Sequence, residues 1–170
     1  MTPVAGKKYP TILCQANGIL NVGDETRIYH GRWRNAPYGP DYYGEIALAT
    51  LPRDRWGALG LVPGAEEGEV WSAPLIVPAG GLRVALNAQG TRGMRVDVAD
   101  GRFSPLTRFS ADAAGSAGAD GLESPVAWPG GGLAALAGRT VRLRIRMRKE
   151  SGLEPRLYAV YLRPAGAGPK

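Results

Sequence analysis

The stretch TVRLRIRMRK, residues 140–149, decides the fold. Val141, Leu143, Ile145 and Met147 alternate with Arg142, Arg144, Arg146 and Arg148. A period of two puts the apolar side chains on one face of a β-strand and the guanidinium groups on the other. A second strand, RLYAVYL at residues 156–162, returns after a turn around Ser151-Gly152. The pair reads as an antiparallel hairpin. Upstream, MRVDVAD (94–100) sets Met94, Val96 and Val98 against Arg95 and Asp97. LRVALNA (82–88) sets Leu82, Val84 and Leu86 against Arg83, Ala85 and Asn87, and QGTRG between the two has the composition of a hairpin loop. Val70, Ser72 and Pro74 lead into LIVP, a strand ended by Ala79-Gly80-Gly81. SPVAWPG (124–130) is a short strand. Trp71 and Trp128 fall inside strand patterns and are expected in the core. GLAALAG (132–138) is long enough for a single turn only. Residues 110–122, mostly Ala, Gly, Ser and Asp, read as a mobile surface loop.

Such alternation, punctuated by Gly and Pro, indicates an all-β chain, an antiparallel β-sandwich of jelly-roll-like type. One face of each strand lines the core and the other meets water. The N-terminal third carries strands of the same kind. TILC (11–14), the runs 18–22 and 26–30 around Gly23-Asp24-Glu25, and EIALATL (45–51), stopped by Pro52, are all β-prone. NAPYGPDYYG (35–44) is a loop with three tyrosines, and residues 52–68 form a turn-rich connector. The expected division is residues 1–60, then a sandwich over 66–164, then a frayed tail over 165–170.

Composition narrows the chemistry. Of 170 residues, 25 are Gly and 14 Pro, and they sit between patterned apolar runs, so they mark turns rather than disorder. The net charge of +6 comes mostly from arginine and suits an acidic partner. No nucleic-acid-binding motif accompanies it, so no nucleic acid is expected. One cysteine, Cys14, forms no internal disulfide, and one histidine, His30, leaves no Cys/His metal cluster. No run is long enough to span a bilayer as a helix. The chain has no P-loop, no dinucleotide fingerprint and no G-x-S-x-G elbow, so no cofactor is expected.

Two phrases at the start carry more information. GDETRIYHGRW (23–33) resembles a G-D-E-x-x-x-Y-Y-G strand followed by basic and aromatic residues, with His30 in place of the second Tyr. GEIALATLPRDRWG (44–57) is similar to a G-x-I-x-L-A-T-L-x-R-D-R-F/W-G strand. LRVALNA, MRVDVAD, VRLRIRMRK and RLYAVYL then follow in order. Over about residues 18–162 this order resembles the glycoside hydrolase family 32-like group of five-bladed propeller proteins. The resemblance implies that residues 1–60 are the last strands of a β-propeller and the rest its trailing sandwich. Those enzymes use two Asp and a Glu in N-D-P and R-D-P contexts on earlier blades, and neither motif occurs here. The implied role is therefore a non-catalytic C-terminal portion that braces the propeller and adds to a sugar site. Its partners would be a carbohydrate and the remainder of the propeller. The alternatives are a free-standing carbohydrate-binding sandwich and a small glycosidase completed by oligomerisation.

The resemblance puts Arg32, Trp33, Tyr42 and Tyr43 near a sugar pocket. Sugar rings stack on aromatics, and their hydroxyls accept hydrogen bonds from Arg. Packing between propeller strands and sandwich is the commoner use of such aromatics. His30 stands where relatives carry Tyr, which suits packing or hydrogen bonding better than acid–base work. Asp24 and Glu25 share a turn and do not face each other across a bond, as glycoside cleavage requires. Glu45 and Asp41 suit surface ion pairs with Arg32 and Arg34. The Arg142–Arg148 ladder, at about 7 Å spacing, fits a polyanion or simply a solvated face that resists aggregation, with Asp97, Glu150 and Glu154 available to neutralise part of it.

Overall fold

The computed structural model describes residues 14–34 and 43–166. Most of the 35–44 loop, Tyr42 and Asp41 included, lies outside the described residues, as do 1–13 and 167–170. Among the described residues every regular element is a strand or a short 3-10 turn. The chain divides into two compact units between Arg55 and Trp56.

The first unit is one antiparallel sheet of β1 (Cys14–Val22), β2 (Glu25–Arg34) and β3 (Tyr43–Pro52), in that order. Val22 pairs with Glu25, so Gly23-Asp24 is a two-residue turn, and Gly23 takes the φ of +59° that such a turn needs. β1 runs unbroken from Cys14, with a bulge between Gln15 and Ile19, where two shorter runs were expected. β3 begins at Tyr43, two residues before the expected start. A polar knot ties the far end. The Thr26 hydroxyl donates to Asn21 Oδ1 at 2.6 Å and accepts from the Asp54 N–H at 2.9 Å. Asn21 Nδ2 donates to Asp54 Oδ1 at 2.8 Å.

The second unit is an antiparallel β-sandwich. β4 (Glu67–Trp71) and β5 (Leu75–Ile76) lie in succession along one edge of β10 (Thr140–Arg148), and β7 (Met94–Asp100) lies along the other. The opposing sheet has the order β11 (Arg156–Pro164), β6 (Leu82–Gln89), β9 (Gly121–Ala127), β8 (Ser116–Ala117). The chain changes sheet at β5–β6, β6–β7, β7–β8, β9–β10 and β10–β11, the alternation of a jelly-roll-like sandwich.

The core is made of the residues that alternation points inward. Leu82, Val84, Leu86 and Ala88 of β6 meet Met94, Val96 and Val98 of β7 and Val141, Leu143, Ile145 and Met147 of β10. Val77, Phe109, Trp128, Leu133 and Leu136 close its ends. Burying each large apolar side chain is worth about 1.5–3 kcal/mol, so this cluster carries the stability of the unit. Leu133–Leu136 is the single 3-10 turn that the short run allows.

Several expectations need correction. Residues 140–149 and 156–162 do not pair as a hairpin, nor do 82–88 and 94–100, because β10 and β7 lie in one sheet and β11 and β6 in the other, so each connection crosses the sandwich. Residues 110–122 are not a plain surface loop. Gly115 exchanges both backbone hydrogen bonds with Val96 at 2.8 Å, and Ser116-Ala117 then pairs with β9, so the segment stitches the two sheets along one edge. Small residues are needed there, because a side chain at Gly115 would meet Trp128 and Val126 at 2.6 Å. The run from Val70 to Pro78 is two strands, since the chain leaves β10 after Ser72, whose N–H still donates to the Leu143 carbonyl, and Pro74 has no N–H to give. Trp128 is in the core, its Nε1 donating to the Val96 carbonyl at 3.0 Å, but Trp71 is not. It lies opposite Arg144 on the outward face of β4. The outward face is also not wholly wet, since Asn87 is fully buried, with Nδ2 3.4 Å from the Tyr161 hydroxyl. The end of the chain is tied as far as Ala165, whose N–H donates to the Gly81 carbonyl.

Candidate ligand-binding faces

The register of β2 and β3 sets Arg32 opposite Glu45, Trp33 opposite Gly44 and Arg34 opposite Tyr43. The backbone thus brings Arg32, Trp33 and Tyr43 to one end of a single hairpin. Tyr42, the fourth residue of that group, lies outside the described residues. Asp24 and Glu25 are exposed, and Glu25 pairs with Arg27 at 3.1 Å. His30 is 3% exposed, and neither ring nitrogen has a hydrogen-bond partner. A general acid or base is held by a hydrogen-bonded partner, and among the described residues His30 has none. Among the described residues no cluster of His, Cys, Asp and Glu is able to hold a metal ion.

The richer surface is the outward face of β4, β10 and β7. Alternation places Arg142, Arg144, Arg146 and Arg148 along its centre, and the first three are already engaged. Arg142 stacks over the Phe103 ring, 4.2 Å from guanidinium carbon to centroid, and donates to the carbonyls of Ser72 and Gly101. Arg144 lies over Trp71 at 5.4 Å and reaches Asp97 at 3.0 Å and Glu69 at 3.5 Å. Arg146 donates from Nε and Nη2 to the two oxygens of Asp97, at 2.7 and 3.1 Å. Trp71 and Phe103 meet edge to face, with centroids 5.1 Å apart. Phe103 is half exposed and holds a φ of +66°, in a turn pinned by Asp100 Oδ1, which accepts from the N–H groups of Arg102 and Ser104.

Asp97 is the buried anion of this face, 1% exposed. Burial pushes its pKa up, but hydrogen bonds from Arg146, Arg144 and the Ala111 N–H outweigh that and hold the carboxyl below the ordinary value. Asp100 is also held low, by the Ser104 and Arg102 amides. Neither carboxyl is protonated near neutral pH, so neither serves as the acid of a glycosidase.

A groove of about 890 Å³ opens at the Arg148 end of the same face. Glu67 and Glu69 of β4 wall one side, and Arg92 and Arg95 the other. Arg148 and Lys149 continue β10 across it.

Of the three acids that the sequence offers to neutralise the ladder, Asp97 does so, Glu150 and Glu154 pair with none of the four arginines, and the contacts with Glu69, Trp71 and Phe103 are not foreseen. The alternation in EGEVW, residues 67–71, already aligns Glu67, Glu69 and Trp71 on one face and was the signal available. Phe103 and Arg92 sit in turns and have no periodicity to reveal them. Comparison with protein-family models, with curated proteins and with solved structures finds no match to this chain.

Proposed function

We propose that the chain is the non-catalytic closing portion of a carbohydrate-active protein of the family 32-like kind. Its three-stranded sheet supplies the last strands of a propeller, and its sandwich braces them. The observation that carries this reading is the open apolar face of the first sheet. Leu20, Val22, Tyr29, Ile46 and Leu48 share that face by register and are 37–84% exposed. Propeller blades pack face to face around a ring. A blade-like sheet with an uncovered apolar face has the surface that a neighbouring blade covers. The motif order from GDETRIYHGRW to RLYAVYL points the same way.

The test is the coding sequence upstream. We expect it to encode, in frame or in an adjacent frame, propeller strands with N-D-P and R-D-P motifs. Co-expression with this chain should give a glycoside hydrolase, while the 170-residue chain alone gives a flat activity screen. Hydrolysis by the chain alone, or an upstream region without those motifs, contradicts the proposal. A second reading, a carbohydrate-binding sandwich acting on its own, is favoured by the partly exposed Trp71–Phe103 pair flanked by Arg142 and Arg144.

A further inference from the structure

We infer that the groove at the Arg148 end of the β4–β10–β7 face binds an acidic oligosaccharide, one that carries uronate carboxylates. The inference rests on the carbohydrate reading above for the saccharide, but on different residues.

The argument starts from which charges are spent. Arg146 is committed to Asp97, and Arg95 donates back to the carbonyls of Arg92 and Met94 at 2.9 and 2.7 Å. Glu69 accepts from Trp71 Nε1 at 2.9 Å and pairs with Arg144. Lys149 faces Glu66 at 3.8 Å. The side chains of Arg92, Arg148, Glu67 and Glu150 line the groove and have no hydrogen bond or ion pair to another described residue. All four residues are exposed. Two guanidinium groups and two carboxylates are therefore available in one concave site.

The two guanidinium groups spring from abutting backbone. Gly93 lies so close to the Arg148 carbonyl oxygen that any side chain there would collide with it. Arg92, its neighbour, belongs to the turn Thr91–Gly93. That turn is clamped from behind, because the Gly90 N–H, the Thr91 N–H and the Thr91 hydroxyl all donate to the Asp120 carboxylate, at 2.8–3.0 Å. A fixed base reduces the ordering cost of binding through Arg92. Paired guanidinium forks match a planar carboxylate, which each is able to engage in a bidentate manner.

The carboxylates decide the class of ligand. Five cations and three carboxylates line the groove. The balance is positive, yet the acids are interspersed. A nucleic acid presents a phosphate at every step and meets Glu67 and Glu150 as repulsion. A uronate-bearing saccharide has sparser charge and several hydroxyls. Its carboxylate goes to Arg92 and Arg148, and its hydroxyls donate to Glu67 and Glu150.

Calorimetric titration of the 170-residue chain tests this, with a polyuronate hexamer, the same hexamer reduced to its neutral form, and a single-stranded DNA of matched charge. We expect saturable binding of the polyuronate that weakens with salt, little binding of the neutral hexamer, and a loss of about tenfold or more in Arg92→Ala and in Arg148→Ala. Both side chains are exposed, and an unchanged melting temperature verifies folding. Equal binding by the arginine variants, equal binding of the neutral hexamer, or preferred binding of DNA overturns the groove proposal. Neutral saccharide binding that survives both arginine changes but is lost in Trp33→Ala overturns the groove and leaves the carbohydrate reading standing. Binding of no saccharide at all overturns this proposal but leaves the upstream test of the propeller role open.

Discussion

The two units of this chain use the same strand chemistry but are held together by different forces. In the sandwich, β6, β7 and β10 point an unbroken set of apolar side chains at an opposing sheet, and residues such as Leu86, Met94 and Val141 are fully buried. In the three-stranded sheet no apolar side chain among the described residues is buried, and the buried side chains are Thr26 and His30. Its cohesion is the backbone ladder and the Asn21–Thr26–Asp54 knot. Each such hydrogen bond contributes about 0.5–1.5 kcal/mol net. A sheet of this size with an uncovered apolar face is marginal by itself. Alternation makes a sheet, and a second layer over its apolar face makes it stable.

The largest effect should come from the sandwich core. Phe109→Ala is expected to cost about 3–5 kcal/mol in denaturant unfolding, because Phe109 is 2% exposed within the core. Ile46→Ala, at 84% exposure in the first sheet, should stay within about 0.5 kcal/mol. Comparable losses from the two substitutions would break the comparison.

Next in size is the Asp97 network. Asp97→Asn removes the anion that Arg144 and Arg146 share, leaving Arg144 only its longer contact with Glu69, at a cost of about 2 kcal/mol, since both guanidinium groups retain access to water. A carboxyl whose pKa is depressed by folding adds stability above its unfolded pKa and loses it as pH falls toward the folded value. Stability of the natural chain should therefore decline as pH drops below about 4, and Asp97→Asn should flatten that decline. Asp100, held low by the Ser104 and Arg102 amides, acts in the same direction. A pH profile identical in the two proteins contradicts the assignment.

A smaller and more local change should follow from Thr26→Ala. It removes the hydroxyl that links Asn21 to the Asp54 amide, worth about 1 kcal/mol. Amide exchange in β1, β2 and β3 should accelerate while the main melting transition stays in place.

The strands were legible because period-two alternation is a local signal. Val141, Leu143, Ile145 and Met147 could be assigned to the core from four consecutive pairs in the sequence. The stitch at Gly115 was not legible. Its role depends on Val96, Val126 and Trp128, brought together from distant positions, and a Gly-Ala-Ser run looks the same in a loop as against an indole ring. Trp71 was misplaced because one residue of register separates the core face from the outward face. The arginine ladder and Asp97 as one of its neutralisers were legible, but the contacts with Glu69, Trp71 and Phe103 arise from a neighbouring strand and a turn. The groove combines a clamped turn, a strand end and an edge strand, so no single segment announces it.

Native-state hydrogen exchange on the whole chain tests the central contrast most directly. The account predicts that amides of β6, β7 and β10 exchange only through global unfolding. It predicts that those of β1–β3 exchange several orders of magnitude faster, through an opening of their own. A single protection level across both units would contradict it, because the first sheet would then be as firmly held as the sandwich.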